Sequence, residues 1–264
     1  MPIEGYRAAR LAFGSANAQP VSAGFWVKAH RTGTYSGVLR NSAKDRCYPF
    51  TFTINAADTW EFKTFSVAAG DTGGTWLSGT GVGLDLAICI ASGASRLGTV
   101  GAWSASTLFG ATGSTNGVAA TTDTFQVTGV IILPGIELPS SSRAAFIMRP
   151  FDQELALAQR YIETTYGIGV LPGTATSAGC QAGLAVSSST ILGCFHFKVQ
   201  KRVAPTVTLY GESGTSGVVS AVGGGNTAAA SATGIATAGF LQVTSSGLTA
   251  GAAYYGHWRA DARL

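Results

Sequence analysis

Apolar and polar positions alternate in short runs from early in the chain: AGFWVKAHR, TYSGVLR, RCYPFTFTI, WEFKTFSVA, GLDLAICIA and DTFQVTGVII. A two-residue period rich in β-branched and aromatic side chains predicts half-buried strands, so six strands or more are expected in this half. Between them lie HRTGT, NSAKD, NAAD, AAGDTGG and GATGSTNG. In such clusters glycine supplies positive φ and Asn or Asp bonds its own backbone, which turns the chain back on itself. Short strands joined this way, with no helical period before residue 150, predict an antiparallel sandwich, of which the jelly roll is one form, and not a parallel βαβ sheet.

The period then changes. After Pro150, the residues Phe151, Leu155, Ala158 and Ile162 recur at helical spacing, with Asp152 as the expected N-cap and Glu154 in a first turn where the helix dipole favours an anion. Three turns of helix are expected, with Gln153, Arg160 and Glu163 on the polar face. A second β pattern follows in GLAVSSS, ILGCFHFKVQKRV, PTVTLYG, GVVSAV, TAGFLQVTSS and AAYYGHWRADARL. The tract AVGGGNTAAASATGIATAG has too little side-chain volume for a core of its own and predicts a long hairpin or loop packed against neighbouring chains. The expected organisation is therefore mainly β: a jelly-roll sandwich over 1–165 ending in one short amphipathic helix, a Gly/Thr/Ser-rich linker over 166–178, and a small β domain over 179–264. The helix is expected to join the two domains and help fix an oligomer, covering an exposed sheet end.

Composition sharpens this picture. Charged residues are 11% of the 264 and glycine contributes 36 of them, against about 25% charge in an average soluble protein. Surface covered by Ser, Thr, Gly and neighbouring subunits accounts for the deficit, so an oligomer is expected. The balance of 17 Lys+Arg over 13 Asp+Glu gives +4 without a basic run, which sets nucleic acid aside. No run approaches the roughly 20 apolar residues of a membrane span, and MPIEGYRAAR lacks the apolar core of a secretory leader. Synthesis and assembly in a host cytoplasm are expected. Cys47, Cys89, Cys180 and Cys194 are read as buried free thiols, since their spacing and that of His30, His196 and His257 fit no metal pattern. No metal or other cofactor is expected.

The segment FQVTGVIILPGIELPSSSRAAFIMRPFDQELALAQRYIE carries a resemblance. With Gly129, Gly135, Arg149, Pro150, Phe151, Glu154, Leu155, Gln159, Arg160 and Tyr161 in the characteristic places, it is similar to bacteriophage tail-fibre and minor structural proteins with a jelly-roll, carbohydrate-binding-like domain. Upstream, Trp26, Gly33, Tyr35, Trp60 and Lys63 match the strands of that family, and FKVQKRVAPTVTLY and YYGHWRADARL resemble the β tip domains that follow it. The resemblance implies a homotrimer on a virion, in contact with other virion proteins. The family's jelly roll has strands before the segment corresponding to 3–19, so the chain is expected to be a fragment or to have its sheet completed by a partner.

Candidate chemistry is sparse. Asp45, Asp58, Asp71 and Asp85 read as turn-capping carboxylates and not as the carboxylate pair of a glycosidase. No G-x-S-x-G elbow, H-E-x-x-H helix or phosphate loop occurs, and no catalytic residue is expected. Sugar binding needs less: an aromatic face against a pyranose, multiplied by multivalency. Trp76 and Trp103, in Gly/Ser-rich loops, are candidate ligand-binding residues, with core or interface packing as the alternative. Trp26 and Trp60, in strands, read as packing residues. Alternation puts Tyr254 and Trp258 on one face of the last strand and Tyr255 and His257 on the other. One face is core and the other meets ligand or subunit, so Tyr254 and Trp258 join the candidates. Arg143, Arg149 and Arg160 either pair with Glu137, Glu154 or Glu163 across subunits or are solvated. The expected function is a virion subunit, a tail or head fibre or a spike, that attaches to bacterial surface polysaccharide. The alternatives are a capsid decoration or connector subunit without glycan binding, and a polysaccharide depolymerase.

Overall fold

The computed structural model describes residues 1–137, 140–142 and 149–264. The expected pairing of Arg143 lies outside them. The chain is mainly β and divides into two compact units, Met1–Met148 and Arg149–Arg263.

The first unit is an antiparallel sandwich. It begins with β1 (Pro2–Glu4) and the single turn α1 (Gly5–Ala8), and continues through β2 (Val21–Ala29), β3 (Gly33–Arg40), β4 (Cys47–Ile54), β5 (Glu61–Val67) and β6 (Val82–Cys89). A parallel two-residue pair, β7 (Leu97–Gly98) and β8 (Gly110–Ala111), precedes β9 (Phe125–Pro134). One sheet has the order β1-β6-β3-β4 and the other β5-β2-β9. All six strands expected from the alternation are present. Consecutive strands keep changing sheet, as at β2 to β3, β4 to β5, β5 to β6 and β6 to β9, which wraps the chain around one core. Alternation fixes what enters that core: Val21, Ala23, Phe25, Val27 and Ala29 of β2 are all buried. They face Tyr35, Leu39, Phe52 and Leu84 of the other sheet. Phe25 meets Phe52 edge to face at 5.1 Å, and Phe50 stacks on Phe65 at 3.6 Å, so aromatic contacts join the sheets.

Where β5 begins, the Glu61 carboxylate accepts the backbone N–H groups of Asn55 and Ala56 and an ion pair from Lys63 at 2.5 Å. Desolvation raises its pKa, but these donors outweigh it and bring the value from 4.5 down to about 2. A depressed carboxylate contributes stability above its unfolded value that is lost as pH falls through the folded one. The first unit is therefore predicted to lose about 1–2 kcal/mol from this group between pH ~4.5 and ~2, after allowance for solvent screening. In acid titrations followed by tryptophan fluorescence, Glu61→Gln should flatten that loss. An unchanged slope would contradict the assignment.

The second unit opens with α2 (Phe151–Gln159), then β10 (Ile162–Thr164), β11 (Gln181–Ala185), β12 (Thr190–His196), β13 (Thr206–Tyr210), β14 (Ser220–Ala221), β15 (Ser231–Thr233), β16 (Gly239–Thr244) and β17 (Ala253–Asp261). The sheet order is β10-β17-β11-β12-β16-β15, with β13 and β14 also on β17. The last strand therefore organises the unit: its first half pairs with β11 and β14, its second half with β10 and β13. Ile191, Phe195, Leu209, Phe240, Val243 and Trp258 fill the core.

Several expectations change here. The helix stops at Gln159 and Ile162 lies in β10, because residues 162–164 pair with 259–261 and strand pairing overrides the local helical period. Pro150 and not Asp152 occupies the cap position, its φ of −52° already set for helix entry. No helix residue is buried, and Phe151 is 69% exposed. The helix belongs with the second unit, and the expected linker over 166–178 is part of that unit too. Tyr166 is buried, stacks on His257 at 3.8 Å and accepts the Gly173 N–H. Cys47 and Cys89 are buried free thiols, but Cys180 is half-buried and Cys194 exposed. Simple alternation accounts for Cys194, which shares the outward face of its strand with exposed Leu192 and His196 while Ile191 and Phe195 are buried. Finally, Arg149 pairs with Glu154 of its own chain at 3.2 Å and Glu163 pairs with Lys201, so these carboxylates have partners without a second subunit.

Candidate functional site

The sequence candidate Trp76 sits in the loop between β5 and β6, and the sequence around it explains why that loop is fixed. Arg46 grips Asp71 through two bonds, at 2.7 and 2.5 Å, with Asp71 almost wholly buried. The bond to Asp71 raises the Arg46 pKa further, so the guanidinium stays charged. Asp71 also accepts the Gly73 N–H at 3.1 Å. Buried Asn41 donates to the Thr75 carbonyl and accepts the backbone N–H groups of Asp45 and Arg46. The Trp76 indole N–H is bonded to the Gly73 carbonyl at 3.0 Å. The N–H edge of the half-buried ring is thereby anchored to the loop.

The other wall comes from residues 5–15. Gly5 and Tyr6 donate to the carbonyls of Gly81 and Gly79, which lays α1 against the loop. Only glycine permits that approach: a Cβ on Gly83 would meet the Gly5 Cα at 2.5 Å and the Ala8 Cβ at 2.9 Å. Gly14, at φ +81°, donates to the Asp71 carbonyl and leaves its Cα beside the indole, where a Cβ would lie 3.1 Å from Trp76 Cδ1. Between these walls is an open cleft of about 200 Å³, lined by Ala8, Ala12, Phe13, Ser15, Trp76 and Leu77 among others. Phe13 meets Trp76 edge to face at 4.8 Å and Trp103 at 5.5 Å, and Trp76 meets Trp103 at 5.6 Å. Trp103 stands behind this wall, half-buried, its indole N–H on the Ala69 carbonyl.

The structure brings Trp76 and Trp103 together and buries Tyr254 and Trp258 in the second unit. Tyr254 and Trp258 are 6% and 2% exposed and face the core of the second unit, so they are corrected to packing residues. The Trp258 indole N–H donates to Gln181 at 2.7 Å, and the Tyr254 hydroxyl accepts the Thr249 N–H. The opposite side of β17 is occupied as well. His257 is buried, shares a hydrogen bond between Nδ1 and the Thr165 hydroxyl, donates its Nε2–H to the Thr176 carbonyl, and has its pKa lowered by burial. Tyr255 bonds to Glu212. Trp60 departs from expectation in the other direction, at 42% exposed.

Each of the four candidate acidic residues has a partner of its own. Asp45 meets Asn41, Asp58 meets His30 at 2.8 Å, Asp71 meets Arg46, and Asp85 meets Arg40 at 2.8 Å. Asp85 lies within β6, and so is a strand ion pair and not the expected turn cap. Among the described residues no group of three His, Cys, Asp or Glu is placed to hold a metal ion. The residues lining the Trp76 cleft carry hydroxyls and apolar groups and no ionisable side chain. Such a surface can hold a neutral, partly apolar ligand. It offers no general acid, base or activated nucleophile. No protein-family model, curated protein or solved structure matches the chain.

Proposed function

We propose that the chain is a non-enzymatic subunit of a virion fibre or spike that attaches to bacterial surface glycan, working as a homotrimer with other virion proteins. The observation that carries the binding role is the Trp76 cleft. An indole held by its N–H lines about 200 Å³ of open space, beside the hydroxyl-bearing Ser15 and Ser78. A pyranose presents one apolar face and a rim of hydroxyls, which is the complement of that surface. Single sites of this kind are weak, and three copies on one particle raise the effective affinity. The placement on a virion is proposed from motif residues alone, among them Trp26, Gly33, Tyr35 and the Arg149-Pro150-Phe151 step, which resemble those of fibre proteins.

The test is binding to an array of bacterial surface polysaccharides, with reducing-end release measured in parallel. The wild type should bind without releasing ends. Trp76→Ala should weaken binding about tenfold, the scale of one lost aromatic contact plus the buried area beneath it. Leu77→Ser, at a residue 42% exposed, should weaken it less while leaving the fold intact. Released ends would make the protein a depolymerase; no retained glycan would make it a connector.

A further inference from the structure

The outer face of the β5-β2-β9 sheet carries a second aromatic surface that shares no residue with the Trp76 cleft. Strand register sets it out in rows. Trp26 lies between Phe62 and Thr128, and Gly24 lies beside Thr64. Lys28 lies opposite Gln126, with its Nζ 5.5 Å from the centre of the Trp60 ring. The Trp26 and Phe62 rings meet at 5.3 Å. Phe62 lies down across its neighbour strand, since a Cβ on Gly24 would come within 2.7 Å of its Cζ. Glycine at 24 is what lets the ring lie low. The result is a shallow strip of aromatic surface, bordered by the exposed polar side chains of Thr64, Gln126 and Thr128.

Charge identifies what this strip lacks. The two carboxylates nearest in sequence to Trp60 are already engaged: Asp58 with His30 at 2.8 Å, Glu61 with Lys63 at 2.5 Å and with two backbone N–H groups. Lys28 stands over the Trp60 ring and makes no ion pair among the described residues. An ammonium standing over an indole is attracted by the ring but keeps its capacity for an anion. We infer that this strip binds an acidic saccharide, with a sugar ring laid on Trp60 or Trp26 and its carboxylate on Lys28. A single cation beside the rings suits one charge per sugar ring and lacks the basic stripe that a nucleic-acid backbone requires.

The experiment titrates the whole chain with a galacturonate tetramer and with its methyl ester, which keeps the ring and removes the charge. The acid should bind at least tenfold more tightly than the ester. Lys28→Gln should abolish that difference and leave ester binding unchanged, whereas Trp60→Ala should weaken both. Trp76→Ala should leave the acid-to-ester ratio intact, so failure at one surface is distinguishable from failure at the other. Equal binding of acid and ester, no binding of either at millimolar concentration, or competition by a single-stranded oligonucleotide at equal strength would overturn the inference. So would sedimentation showing that Trp60→Ala dissociates an oligomer, since the strip would then be a subunit contact.

Discussion

Replacing Lys201 by methionine is predicted to destabilise the second unit by about 3–5 kcal/mol, the cost of leaving a buried partner uncompensated. The side chains of Lys201 and Glu163 are 0% and 1% exposed and meet at 2.5 Å. The ammonium also donates to the carbonyls of Gln159 at 2.6 Å and Val199 at 2.7 Å, and it stands 4.9 Å from the centre of the Phe197 ring. Glu163 in turn accepts the Lys198 N–H. One ion pair thus ties the end of α2, strand β10 and the segment after β12. Burial pushes the Lys201 pKa down, and Glu163 pulls it back up. Methionine fills similar space but leaves Glu163 without its cation. Trp258 is the one tryptophan of this unit, so urea unfolding followed by its fluorescence reads the effect directly. Replacing both partners, Lys201→Met with Glu163→Leu, should restore much of the loss, because two apolar groups need no compensation. A single Lys201→Met variant as stable as wild type would show that the pair is solvated.

Trp258→Ala is predicted to cost about 3–5 kcal/mol in urea unfolding followed by far-ultraviolet circular dichroism, since the variant removes the unit's fluorescent probe; that is the range for truncating a large buried aromatic. The ring meets Phe197 at 5.2 Å and Phe240 at 6.1 Å, both edge to face, and bonds to Gln181. Its strand pairs with β10, β11, β13 and β14, so the cavity would lie where the unit's pairings meet. This variant also separates two roles for the residue. A core residue loses stability and leaves glycan affinity in the first unit untouched. A ligand residue would do the reverse.

The strands were legible because alternation is a direct consequence of a pleated ribbon with one wet and one dry face. β2 shows it plainly: Phe25 and Val27 point inward, Trp26 and Lys28 outward. The helix end was not legible, because Ile162 fits the helical period of Leu155 and Ala158 yet pairs with Asp261, about a hundred residues on. Nothing local announces such a partner. The same limit applies at the candidate site. Trp76 stood out as a tryptophan in a Gly/Ser loop, but the wall opposite it, residues 5–15, has no periodic signal, and its fit depends on Gly5 and Gly83 meeting across the chain. The small residues of GYRAARLAFG were the available clue. In β17 the pattern placed Tyr254 and Trp258 on one face correctly, but both faces are covered, since the residues after α2 return to pack Tyr166 on His257.

The chain has five tryptophans, at 26, 60, 76, 103 and 258, and each indole N–H gives its own proton–nitrogen resonance. The most direct measurement is to follow these five signals while a neutral oligosaccharide from a bacterial surface polysaccharide is added to the ¹⁵N-labelled protein. The account predicts that the Trp76 resonance moves in a saturable way, that Trp103 behind it follows more weakly, that Trp258 stays fixed, and that the sugar remains intact. A fixed Trp76 signal beside a shifting Trp258, or sugar fragments in the sample, would contradict it.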